Sequence, residues 1–176
     1  MKKIIITGAV LILIISGVVV CLGYNLKKEN KPVVVEETLP ILGNKALDGA
    51  VTNFLLSKQD FSWKTEEGST NFCVFQNLYP EKDLFPIYIW IRCGEFKMVE
   101  GELKELSGMA SPIKIDYPNE LSYYDIEKFS YEKPGDGSLY DKDVKRIFPE
   151  ETWPRMSFDL SYLNNKILEA AIQALK

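Results

Sequence analysis

The sequence predicts an α+β fold: an N-terminal transmembrane helix, then a helix, an antiparallel β-meander of about four strands, and C-terminal helices. Three observations carry this expectation. Residues 4–24 read IIITGAVLILIISGVVVCLGY and hold no charge. Runs rich in aromatic and β-branched residues, bounded by turn residues, fill the middle of the chain. Beyond Pro134 the apolar residues recur with helical spacing.

A helix of about 20 apolar residues crosses a bilayer core. The apolar core of a signal peptide is shorter, usually about 7–15 residues. Length therefore favours a signal-anchor over 1–24, with a cleaved signal peptide as the alternative. No A-x-A pattern precedes the exit at Gly23, and Val20 ahead of Cys21 does not suit a lipoprotein site. Lys2 and Lys3 precede the run and Lys27, Lys28 and Lys31 follow it, close to a tie by the positive-inside rule. The short N-terminal tail resembles a signal-anchor. That places the chain in the cell membrane as a single-pass protein with its bulk extracytoplasmic; a cytoplasmic domain on an N-out anchor is the alternative. Residues 25–40, NLKKENKPVVVEETLP, read as a linker, and 41–176 as one domain.

Within that domain a helix is expected from Leu42 to Lys58. Asn44 caps it, and Ala46, Leu47, Ala50, Val51, Phe54 and Leu55 form its stripe. Strands follow over Thr70–Tyr79 and Ile87–Val99, joined by the loop PEKDLFP. Glu100-Gly101 reverses the chain into Glu102–Leu106, and Pro112–Tyr117 reads as a separate short strand. Pro118-Asn119 suits a turn. Leu121–Glu132 reads as the last strand, with a bulge near Asp125–Lys128. Leu139–Phe148 reads as a short helix, opened by a Ser138/Asp141 variant of the capping box and stopped by Pro149. Ser157–Leu175 is the clearest helix, capped by Ser157, with Leu160, Leu163, Ile167, Leu168, Ala171 and Leu175 on one face.

Composition removes whole classes of chemistry. The chain carries 21 Lys and Arg against 25 Asp and Glu, a formal net charge of −4, and no basic stripe, so it offers nucleic acid no footprint. It has no histidine, which excludes Ser-His-Asp and Cys-His nucleophiles. Its 3 cysteines alone cannot fill a four-ligand zinc site. No metal and no cofactor is expected. Ser111-Pro112-Ile113-Lys114 matches S-x-x-K, but that motif needs a helix and the alternating IKID reads as a strand. Asp136, Asp141 and Asp143 lack the alternate spacing of a calcium loop and read as turn and helix-start residues. Glu66, Glu67, Asp116, Glu120, Asp125 and Glu127 supply carboxylates for a hydrolase, yet nothing in the sequence says which two converge.

Two pairings remain. In a hairpin centred on Asp83, Cys73 faces Cys93 and Phe75 faces Ile91, so the cysteines share a face at disulfide reach. A cross-strand disulfide in an oxidising compartment and two small buried hydrophobes both satisfy that geometry. On the opposite parity lie Phe72, Tyr88, Trp90 and Arg92, with Gln76: a candidate binding surface, or a face that a helix covers.

The runs TNFCVFQNLYPEKDLFPIYIWIRCGEF, SGMASPIKIDY and YEKPGDGSLYDKDVKRIFP resemble an uncharacterised family of small bacterial domains, membrane-anchored or exported. Similar domains are appended to membrane proteins of the antirepressor metallopeptidase type. The shared pattern is P-x-D-G-S-x-Y-x-x-D-I-K-x-I-F-P. Pro134, Asp136, Gly137, Ser138, Tyr140, Asp143, Lys145, Ile147, Phe148 and Pro149 match it, with Val144 in place of Ile. The resemblance implies localisation and fold and brings no catalytic residue. The expectation is a membrane-anchored extracytoplasmic binding or interaction domain, sensory or accessory at the cell envelope, with an envelope protein as partner; the alternative is an envelope hydrolase using paired carboxylates.

Overall fold

The structure is a computed structural model that describes residues 41–81, 85–118, 124–157 and 159–176. The expected membrane segment and linker over 1–40 lie outside the described residues. Among the described residues no helix is long and apolar enough to cross a membrane. The domain is α+β: one helix, a four-stranded antiparallel sheet in the order β1-β2-β3-β4, then C-terminal helices.

Helix α1 spans Lys45–Leu56. Asn44 Oδ1 accepts from the Ala46 and Leu47 N–H groups at 2.8 and 3.4 Å, which satisfies donors that the first turn leaves unpaired. Asp48 accepts from the Ile41 and Leu42 N–H groups at 2.8 and 2.9 Å and fixes the entering chain. Leu47, Ala50, Val51, Phe54 and Leu55 are buried; Ala46, expected in the stripe, is exposed.

Strands β1 (Thr70–Asn77) and β2 (Ile87–Val99) pair antiparallel, with Cys73 opposite Cys93 and Phe75 opposite Ile91. Glu100 (φ 54°) and Gly101 (φ 85°) form a two-residue reversal, both in the left-handed region such tight hairpins require. Strand β3 then runs unbroken from Glu102 to Asp116. The two short strands expected there are one. Ser107–Ser111, SGMAS, looks like punctuation by composition, but its backbone stays in the β2 ladder. The irregularity is instead a bulge: the register moves from Glu95↔Ser107 to Phe96↔Glu105, leaving Leu106 as the extra residue.

The expected final strand over Leu121–Glu132 is corrected as well. Strand β4 is only Ser130–Glu132, paired with Lys114–Asp116, and a 3₁₀ turn occupies Ile126–Lys128. Asp125 accepts from the Glu127 N–H at 3.1 Å, so the side chain coils the backbone that the sequence pattern would extend. Residues 119–123, including the expected Pro118-Asn119 turn's second half, lie outside the described residues.

Helix α2 (Tyr140–Ile147) follows a 3₁₀ turn at Gly137–Leu139. Ser138 makes no cap bond. The loop is held from inside the helix, where Asp143 accepts from the Gly135 N–H at 2.9 Å and from Arg146. A short helix α3 (Trp153–Met156) begins with Pro154 in its first turn, where a missing N–H costs nothing. Ser157 ends α3; it does not cap the last helix. Helix α4 starts at Ser161, whose N–H and hydroxyl donate to Asp159 at 2.9 and 2.7 Å, and runs to Leu175.

The sheet carries helices on both faces. On one, Ile89, Ile91 and Cys93 of β2 join Phe75, Ile113 and Ile115 and pack with α1, Phe61 and Phe129. On the other, Tyr88 packs with Leu78, Ile147 and Phe148, and Phe96 with Ile167 and Ala171 of α4. Burying side chains the size of Ile167 and Leu163 stabilises by about 1.5–3 kcal/mol each, which holds α4 in place.

Candidate functional site

Phe72, Tyr88, Trp90 and Arg92 do share one face of the β1–β2 hairpin, but the C-terminal helices cover it. Tyr88 is 9% exposed, its ring 5.8 Å from that of Phe148 and 6.4 Å from that of Tyr79. Burial raises the pKa of its hydroxyl. Phe72 is half-buried with its ring 5.9 Å from Phe96, and Trp90 is half-buried against the Tyr88–Phe148 cluster. These side chains contribute to the packing between sheet and helices, the second of the two readings that the sequence left open for this face.

Arg92 shows how tightly that packing is engineered. Its Nε donates to Asn164 Oδ1 of α4 at 3.0 Å, and its Nη2 pairs with Glu105. The bulge at Leu106 brings Glu105 opposite Phe96 and so onto the Arg92 face. Gly94 and Gly108, paired across β2 and β3, form the floor beneath the ion pair. A Cβ on Gly108 would collide with Glu105 Oε1 and Arg92 Nη1; one on Gly94 would lie 2.9 Å from the Phe96 ring. The absence of a side chain at both positions leaves room for the ion pair to lie close over the backbone.

On the other face Cys73 and Cys93 are bonded, S–S 2.10 Å, with Cα atoms 4.2 Å apart. That separation is the close spacing of a non-hydrogen-bonded antiparallel pair. Cys93 is fully buried and Cys73 is 7% exposed. The bridge therefore sits inside the core under Phe61, whose carbonyl lies 3.7 Å from the Cys73 sulfur.

Two residues further along β2 is a polar centre that sequence reasoning missed. Glu95 is 0% exposed. Its Oε1 accepts from the Thr65 and Glu66 N–H groups at 2.8 and 3.2 Å and from the Ser69 hydroxyl. Its Oε2 accepts from the Thr65 and Ser107 hydroxyls at 2.6 and 3.1 Å, and Ser107 in turn accepts from Trp63 Nε1 at 2.6 Å. Burial alone would raise the Glu95 carboxyl; the hydrogen bonds from Ser69, Thr65 and Glu66 outweigh it and bring the pKa to about 2. The buried carboxylate is thus stabilised by hydroxyls and backbone donors. Its parity with Ile89, Ile91 and Cys93 was the signal available: an acid in phase with a buried apolar face needs donors, and Thr65, Ser69 and Ser107 supply them.

The remaining candidates resolve separately. Strand alternation puts Ser111 and Lys114 on opposite faces of β3, so they cannot act together; Lys114 Nζ pairs instead with Asp116 at 2.9 Å, which raises its pKa. Asp143 holds the Gly135 N–H and Arg146 and is pushed below the ordinary carboxylate range by those bonds. Among the described residues no three His, Cys, Asp or Glu side chains are grouped to hold a metal ion. Glu66 pairs with Lys97, Asp116 with Lys114, and Asp125 with Lys128. Every carboxyl shift resolved among the described residues, at Glu81, Glu95, Asp143 and Asp159, is downward. A glycosidase-type general acid needs the opposite displacement.

Fold and site together define a disulfide-containing α+β domain whose distinctive polar groups bind one another. Compared with known proteins, the chain matches no family model, no curated protein and no solved structure.

Proposed function

We propose that this chain is a membrane-anchored extracytoplasmic domain that binds or interacts with an envelope protein, its N-terminal run serving as the anchor. The observation that supports the reading is the Cys73–Cys93 bridge inside the core. Disulfides persist in oxidising compartments and are rare in the reducing cytosol. The uncharged run over 4–24 supplies a route across the membrane, and the resemblance of Pro134–Pro149 to exported or anchored bacterial domains points the same way. The carboxylate-hydrolase reading draws no support from the carboxyl groups whose pKa shifts are resolved, all of them downward.

A reporter fused after Lys176 tests the placement. An alkaline phosphatase fusion active only outside the cytoplasm is expected to be active, and a fluorescent protein that matures only in the cytoplasm is expected to be dark. The reverse pattern overturns the placement. The size of the product recovered from membranes separates an uncleaved anchor from a cleaved signal peptide.

A further inference from the structure

We draw no further inference here: the strongest candidate, the exposed apolar flank of the C-terminal helix formed by Leu168 and Ile172 one turn apart, carries nothing, because nothing in the structure shows what covers it.

Discussion

Replacing both bridge cysteines, Cys73→Ala with Cys93→Ala, isolates what the covalent link contributes. The two residues are 20 apart in sequence. Closing a loop of that size in the unfolded chain removes entropy equivalent to about 3 kcal/mol at 25 °C in the chain-entropy account. The lost sulfurs leave small voids in a core where Cys93 is fully buried, so the double variant should be destabilised by at least that amount. For a domain of this size the loss corresponds to a fall in Tm of roughly 10 °C. The assay is urea unfolding of the full chain in a mild detergent, followed by tryptophan fluorescence, with wild type measured with and without reductant. Wild type unfolded and refolded under reductant should match the double variant to within about 1 kcal/mol. The wild-type chain prepared without reductant should show neither thiol at positions 73 and 93 available to alkylation in denaturant. Equal stability of the oxidised wild type and the double variant would refute the reasoning, as would quantitative alkylation of both thiols in protein recovered from outside the cytoplasm.

Glu95→Gln keeps the shape but loses the charge that five donors surround, and should lower Tm by several degrees at pH 7 as followed by circular dichroism. Because the folded pKa, about 2, is depressed from the ordinary 4.5, the wild-type advantage should be complete above about pH 4.5 and fade as pH falls towards 2; an advantage independent of pH across that window would count against the hydrogen-bonded carboxylate. Gly108→Ala should destabilise by up to about 1 kcal/mol by displacing the Arg92–Glu105 pair. Gly49→Ala, in α1 with open space around it, should stabilise by about 0.5–1 kcal/mol, so the two glycine variants are expected to differ in sign in the same urea experiment. Phe54→Ala, fully buried, should cost about 3–5 kcal/mol, whereas Leu139→Ala, 56% exposed, should change stability by less than about 0.5 kcal/mol by thermal unfolding.

The parts of the fold legible in the sequence are those where local pattern and tertiary demand agree. Asn44 and the α1 stripe locate the first helix, and reflection about Asp83 gives the β1–β2 pairs seen at Cys73↔Cys93 and Phe75↔Ile91. The misreadings occur where one residue serves a distant partner. Ser107 and Gly108 look like a break, yet Ser107 is there for Glu95 and Trp63, and Gly108 for Arg92 and Glu105. Ser138 and Ser157 look like caps, but Asp143 and Asp159 perform the tethering from positions that the capping pattern does not mark. The aromatic and cationic face of Phe72, Tyr88, Trp90 and Arg92 has the composition of a binding surface and the environment of an interior. Residue type alone does not separate the two, since the covering helices come from residues more than fifty positions further on.

The glycine pair beneath the Arg92–Glu105 bridge also constrains how this protein can diverge. A Cβ at position 108 would meet the guanidinium and carboxylate where they now lie, and one at position 94 the Phe96 ring. Losing Gly108 and keeping the charges forces the ion pair to shift; losing Glu105 and keeping the glycines leaves Arg92 held by Asn164 and the Cys93 carbonyl. A change at position 108 therefore acts on the same surface as a change at Arg92 or Glu105, and the effects of such changes should not add.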